Sequence, residues 1–270
     1  PRMATLCGMR RRGYPAEAIR EFCDRIGVSK ANSVIDYALL ESCVRDHLNQ
    51  NAPRAMAVLR PLRVIIDNYP DGQSEELEVE VNPNRPEMGR KTIRFSKEIY
   101  IEQEDFMEEP PKGYFRLAPG MEVRLKGAYF IRFVGAEKDE QGRITAVHCT
   151  YDPLSKGGES PDGRKVKGTL HWVSAADSID FTANLYDRLF LVENPSDERE
   201  VPFTDHINPH SLEVLDGCKI DASYVHAQPL DTFQFMRQGY FCVDADSKPG
   251  HLIFNRTVPL KDSWGKTKKS

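Results

Sequence analysis

A chain of 270 residues with 40% hydrophobic and 29% charged side chains can bury one large core or two to three modest ones; two small domains plus a helical piece is the expected division. A net charge of −4 excludes a protein that coats nucleic acid without specificity, because such binding scales with the phosphates neutralised; local recognition stays open. There is no run of 18 apolar residues and Pro1 to Arg12 lacks signal-peptide character, so composition points away from membrane and export and toward the cytoplasm.

Residues 1 to 50 read as a compact helical unit. Thr5 can cap a short helix that Gly13 ends, and Pro15 opens a second where its missing amide costs nothing. In that second helix Ile19, Phe22, Cys23 and Ile26 follow the spacing of one helical face, and Gly27 closes it. Ser29 and Ser33 are candidate caps for a third helix carrying Ile35, Leu39, Leu40, Cys43, Val44 and Leu48 up to a break at Asn51. Gly27-Val28-Ser29-Lys30 reads as a helix stop followed by a cap rather than as a nucleotide loop.

At Asn51-Ala52-Pro53-Arg54 the period changes from helical spacing to short alternating runs. Proline lacks an amide donor and restrains the residue before it, so the helix cannot run through Pro53 and Arg54 leaves it at a fixed angle. Strands are expected at Leu62 to Asn68, Leu77 to Val81, Thr92 to Phe95, Glu98 to Ile101, Glu122 to Leu125, Ala128 to Val134 and Ile144 to Tyr151. Further ones fall at Thr169 to Val173, Ile179 to Tyr186, Leu212 to Leu215, Thr232 to Phe235, Tyr240 to Val243 and Ile253 to Val258. Asp139 to Gly142 supplies a hairpin turn and Gly157 to Gly163 a mobile loop. Spacing near ten residues with turn chemistry between runs is the pattern of barrels and sandwiches.

Catalytic motifs are absent: no G-x-S-x-G, H-E-x-x-H or phosphate-loop string occurs, and His171 beside Trp172 reads as a satisfied core residue. The six cysteines are scattered without a C-x-x-C pair, which fits a reduced compartment and gives no zinc site. Positive charge gathers at Arg10 to Arg12, Arg60 to Arg63, Arg90 to Arg94, Arg164 to Lys167 and Lys266 to Lys269, while acid gathers at Glu75 to Glu80 and Glu102 to Glu109. Arg54 at the joint, Arg116 after Tyr114-Phe115, Arg124 in its strand, and Gln234 and Arg237 around Phe235 all place planar donors near aromatics. Single-stranded RNA is read by such groups, with splayed bases stacked on rings or guanidinium planes.

Longer strings carry a resemblance. Pro1-Arg2-Met3 with Gly8 to Tyr14, Ile19 to Phe22, Leu40 to Cys43, Asn51 to Val58, Asn84 to Gly89 and Glu122 to Leu125 resemble the glutaminyl-tRNA synthetase family. Cys149 to Asp152, Asp162 to Gly168, His171 to Ala175, Leu185 to Phe190 and Phe254 to Thr257 do so too. The resemblance covers essentially the whole chain but begins partway into the family's, just past its M-S-K loop, so the family's Rossmann-type domain with H-I-G-H and M-S-K is expected to be missing.

What the resemblance implies is a mainly β fold with an N-terminal helical subdomain: residues 1–51 as connector, 52–110 with 197–270 as a proximal β-barrel, and 111–196 as a distal β-barrel. These would hold the anticodon of a tRNA for glutamine, as a monomer, within a ligase whose absent domain would use ATP with magnesium, and glutamine; this chain itself would hold no metal or cofactor. By resemblance Arg54 and Gln234 approach the middle anticodon base, Arg116 the third and Arg124 the first, while the Ser29 to Ser33 loop, with Lys30 and Asn32, faces the inner corner of the tRNA. Phe115 stands where the family often has lysine, and Gly113 replaces a polar residue, so reading of the first base would lean on Arg124 and on stacking. Three other readings remain: a glutamyl-tRNA synthetase of archaeal and eukaryotic type, a free-standing RNA-binding barrel like a ribosomal protein, and a protein-interaction scaffold using the acidic stretches.

Overall fold

The computed structural model describes residues 1–30, 34–195 and 201–261. Three helices precede the strands. Thr5 caps α1 (Leu6–Arg12), its hydroxyl accepting the Gly8 N–H at 3.1 Å, and Gly13 ends the helix with φ 91°. Pro15 is the N-cap of α2 (Ala16–Ile26), which Gly27 closes. The third helix, α3 (Tyr37–Asn51), corrects one expectation: its cap is Asp36, whose carboxylate accepts the Ala38 N–H at 2.9 Å, not Ser29, which lies seven residues upstream of Asp36; Ser33 falls outside the described residues. A cap oxygen reaches only the amides of the first turn, so with Tyr37 as the first helical residue only position 36 can serve.

Short strands β1 (Arg54–Ala55) and β2 (Ala57–Val58) follow Pro53 at once, and sequence spacing could not have marked elements two residues long. The chain continues through β3 (Pro61–Ile66), β4 (Ser74–Glu80), β5 (Arg90–Ser96), β6 (Glu98–Glu102), β7 (Glu122–Leu125), β8 (Phe130–Lys138), β9 (Ile144–Asp152), β10 (Gly168–Leu170) and β11 (Val173–Ser174). It closes with β12 (Ser178–Tyr186), β13 (Leu212–Asp221), β14 (Thr232–Phe235), β15 (Gly239–Val243) and β16 (Leu252–Pro259). The fold is mainly β, with an N-terminal helical subdomain and two barrel-like sheets, one nearly closed and one a half-barrel.

Two compact units form: Pro1–Arg54, Thr182–Asp216 and His226–Ser270 make the first, and Ala55–Phe181 with Gly217–Val225 the second. In the first, the apolar stripes of the helices close on Tyr14, Ala18, Leu40, Cys43, Val44 and Leu48, joined by Tyr240 and Val258. Each buried Leu or Val there stabilises the fold by about 1.5 to 3 kcal/mol. Phe235 stacks on Phe241 with centroids 4.2 Å apart and meets Phe254 edge-on, which fixes the strand order β14-β15-β16.

In the second unit the strand order is β10-β7-β8-β9-β3-β6-β11, with β4 and β5 as a separate hairpin. Leu62, Val64 and Ile66 are buried at every second position of β3, the signature of a strand with one covered face. Trp172, Phe95, Tyr69, Tyr129 and Tyr151 form the aromatic part of that core. The turn expected at Asp139 forms, with the Gly142 N–H donating to the Asp139 carbonyl at 2.9 Å. His171 is buried against Glu102 at 3.2 Å, as a core histidine should be.

Lys91 on β5 is the exception in a strand of exposed charges. Its ammonium donates to the Tyr224 hydroxyl at 2.8 Å, and burial pulls its pKa down to about 8 against the opposing pull of Asp221. Between about 8 and the ordinary lysine value of 10.5 the unfolded chain binds the proton and the folded chain does not, so stability rises with pH across that window. Urea midpoints of the parent and of Lys91→Met at pH 7 and pH 9.5 are expected to show the parent gaining on the variant by up to about 2 kcal/mol, with a constant difference excluding the effect.

Candidate nucleic-acid interface

Arg54 is held where the sequence places it, just past the helix break, and is 8% exposed. Its Nη2 donates to the Asn49 carbonyl at 3.1 Å and to Asn49 Oδ1 at 2.9 Å, reaching back over the last turn of α3. Its Nη1 donates to Gln234 Oε1. Gln234 arrives from β14, whose backbone is fixed to the same joint because its N–H donates to the Pro53 carbonyl at 2.8 Å. Phe233 and Phe235 turn into the core, so alternation puts Gln234 on the other face, opposite Tyr240 of β15.

The Tyr240 hydroxyl donates to Asn49 Oδ1 at 3.4 Å, and Tyr240 also hydrogen-bonds Arg54. Burial pushes the Tyr240 phenol up and the Arg54 guanidinium down, each partly offset by the other. Residues 180 positions apart thus form one polar cluster. Sequence reading found Arg54 and Gln234; it missed Asn49 and Tyr240, whose only signal was polar groups at positions where helix and strand turn inward. Arg237 sits nearby in chain, in the tight turn after β14, with φ 66° and the Gln238 N–H donating to Phe235. Lys30 is exposed beyond α2, and Asn32 lies outside the described residues.

In the second unit Arg116 and Arg124 are in opposite states. Arg116 is pinned: it donates to the Glu104 carbonyl at 3.1 Å, pairs with the Glu104 carboxylate at 3.1 Å, and reaches the fully buried Asp105 at 3.3 Å. The side chain of Arg124, in β7, has no hydrogen bond or ion pair among the described residues, and its Nε is buried without a partner. Its guanidinium lies 5.4 Å from the Phe130 centroid. Gly158 makes room for its stem: a Cβ there would stand 2.9 Å from Arg124 Cδ, and φ at Gly158 is 86°.

Arg164, noted in the sequence only as part of a basic run, shares the Phe130 ring at 5.2 Å. Three carboxylates saturate it: Glu122 at 2.8 Å, Asp152 at 2.5 Å and Asp162 at 2.7 Å. These contacts tie down the far end of the loop read from sequence as mobile. Asp162 is held down to about 2, chiefly by its hydrogen bond from Ser160, with Arg164 adding to the effect. The pattern is one guanidinium neutralised and one left open above a buried aromatic.

Similarity to known proteins agrees with this geometry. Residues 52–152 match the model of the anticodon-binding domain of class I tRNA synthetases (E and Q), and residues 169–244 match a second model of the same description. The chain is 54% identical over 266 residues to a protein named glutamine–tRNA ligase from Pseudomonas syringae pv. tomato, covering 98% of this chain and 46% of that one. It is 53% identical to the protein of that name from Nitrobacter winogradskyi and 51% identical to that from Clostridium kluyveri, each with 98% of this chain covered. The chain therefore spans about half the length of the curated relatives it matches. With both barrel-bearing stretches matched, this chain belongs to the class I tRNA synthetase family for glutamate and glutamine and carries its anticodon-binding portion.

Proposed function

We propose that this chain grips the anticodon loop of a tRNA for glutamine, as part of an enzyme that attaches glutamine to that tRNA. The observation that carries the reading is Arg124: a guanidinium with no protein acceptor among the described residues, confined by Gly158 and stacked on Phe130, is a donor waiting for a ligand. Arg54 and Gln234 would read the middle base, Arg116 the third and Arg124 the first, with Arg237 and Lys30 as further RNA contacts and Asn32 lying outside the described residues. A connector at residues 1–51, a proximal barrel from 52–110 and 197–270 and a distal barrel from 111–196 would divide that work. The names of the relatives favour glutamine over glutamate.

The parent enzyme's ATP, magnesium and glutamine would be handled outside these 270 residues, which contain neither H-I-G-H nor the M-S-K string. The protein would act as a cytoplasmic monomer. No helix among the described residues is long and apolar enough to cross a membrane. The primary test is titration of the chain with the anticodon stem-loop of a glutamine tRNA and with loops changed at each anticodon base, at fixed salt. Tighter binding of the unchanged loop supports the reading, and equal binding of all loops removes it. In a separate assay the chain alone is expected to give no glutamine-dependent pyrophosphate exchange with ATP, and exchange above background would refute that part.

A further inference from the structure

Phe115 is a large aromatic left 49% exposed, and it is held there rather than loose. The Tyr114 N–H donates to the Pro111 carbonyl at 3.1 Å, closing a tight turn in which Gly113 takes φ 90°. On either side of Phe115, the Tyr114 hydroxyl and the Arg116 Nη1 both donate to the Glu104 carbonyl at 3.1 Å. The Phe115 carbonyl also rests on β10: a Cβ at Gly168 would stand 2.1 Å from it, so only glycine permits the approach.

Lys167 closes the site. It is exposed, and its ammonium lies 4.9 Å from the Phe115 centroid. Next to it, Gly168 pairs with Val123 and Thr169 with Arg124 in the parallel β10–β7 register. Phe115 is therefore bound in sequence to Arg116, and its carbonyl lies over β10, the strand that pairs with the one carrying Arg124. A ring polarised by a cation and half open to solvent, with Arg116 next to it in sequence and Arg124 on the strand paired with β10, offers a π-face to a partner that also carries negative charge.

We propose that Phe115, with Lys167 over its ring, is a stacking platform for one unpaired base of the bound RNA. The inference rests on the anticodon-loop reading and adds a residue to it. Stacking supplies affinity for a base of any kind, and the flanking arginines supply the choice among bases. Lys167 would meet the phosphate of the same nucleotide.

The test titrates the anticodon stem-loop with the parent, Phe115→Ala, Phe115→Leu, Phe115→Tyr and Lys167→Gln, with circular dichroism to show each is folded. Phe115→Ala is expected to weaken binding about 5- to 150-fold, the range of one lost base stack, with leucine recovering little and tyrosine most of it. The salt slope should stay unchanged in the Phe115 variants and fall by about one unit in Lys167→Gln. The same titrations are run on loops made abasic at each unpaired position in turn. At one position the gap between parent and Phe115→Ala should vanish, which identifies the stacked base.

A folded Phe115→Ala that binds like the parent overturns the inference, as does a gap that persists on every abasic loop, since the ring then acts on the protein and not on a base. If the parent binds the stem-loop no better than an unrelated hairpin, the anticodon reading falls first and this one with it. If it binds well and only the Phe115 variants are silent, the failure is confined to the platform.

Discussion

Replacing Arg54 by lysine is expected to cost discrimination at the middle anticodon base about 5- to 150-fold, with the fold retained. The guanidinium spans several acceptors at once, the carbonyl and side chain of Asn49 through one nitrogen and Gln234 through another, with the Tyr240 hydroxyl also bonded to it. An ammonium on a flexible stem donates from a single point, is more strongly hydrated, and cannot reproduce the fork. It would leave Gln234 Oε1 or the Asn49 carbonyl short of a donor at a site that is nearly closed to solvent, a loss of about 1 to 3 kcal/mol in stability.

The cluster also shows how Arg54 would act. With its amide oxygen bonded to Arg54, Gln234 has its N–H pair turned away from the arginine and toward a ligand, so orientation of that amide depends on the arginine. Loss of the fork frees the amide to flip and to present an acceptor where a donor stood. The measurement is titration of parent and Arg54→Lys with the glutamine anticodon loop and with one altered at its middle base, alongside circular dichroism. A folded lysine variant that separates the two loops as well as the parent does would make Arg54 a structural joint only.

Much of this fold is legible in the sequence because local chemistry and tertiary structure agree. Thr5, Gly13, Pro15 and Gly27 cap or end helices where their own geometry requires it, and the runs at Glu122 to Leu125 and Thr232 to Phe235 are strands at the bounds their alternation gives. Asp36 shows where this stops. Ser, Thr, Asp and Asn compete for the same role, and the side-chain oxygen that wins is decided by where the apolar stripe of α3 meets its core, which no local window contains.

The candidate site divides in the same way. Arginines beside aromatics are visible in the sequence, but whether each is open or neutralised depends on which carboxylates the fold turns toward it. Arg116 meets Asp105 and Glu104 across a loop, Arg164 collects acids from three places, and Arg124 collects none. Sequence reading named Arg124, which stands between a valine and a leucine, and took Arg164 only as part of its basic run, but it could not tell which of the two is neutralised.

That contrast makes Arg124→Ala the more selective test of base reading. Because the Arg124 side chain makes no hydrogen bond or ion pair among the described residues, its removal takes from the folded state the contact of its stem with Gly158 and of its guanidinium with Phe130 and no polar interaction. A cation–π contact contributes about 0.5 to 2 kcal/mol, and the buried Nε that lacks a partner is removed as well, which offsets part of the loss. Stability is therefore expected to change by less than about 2 kcal/mol. Binding should change far more unevenly. A bidentate contact to a base edge is worth about 1 to 3 kcal/mol of discrimination, whereas a contact to phosphate weakens every RNA alike and lowers the salt slope by about one unit. Titrations of Arg124→Ala against anticodon stem-loops differing only at the first position should show the unchanged loop losing about 5- to 150-fold while the altered loops lose little, at an unaltered salt slope. Equal losses on every loop, with a slope reduced by one unit, would move Arg124 from the base to the backbone and leave the first anticodon position unread by this residue.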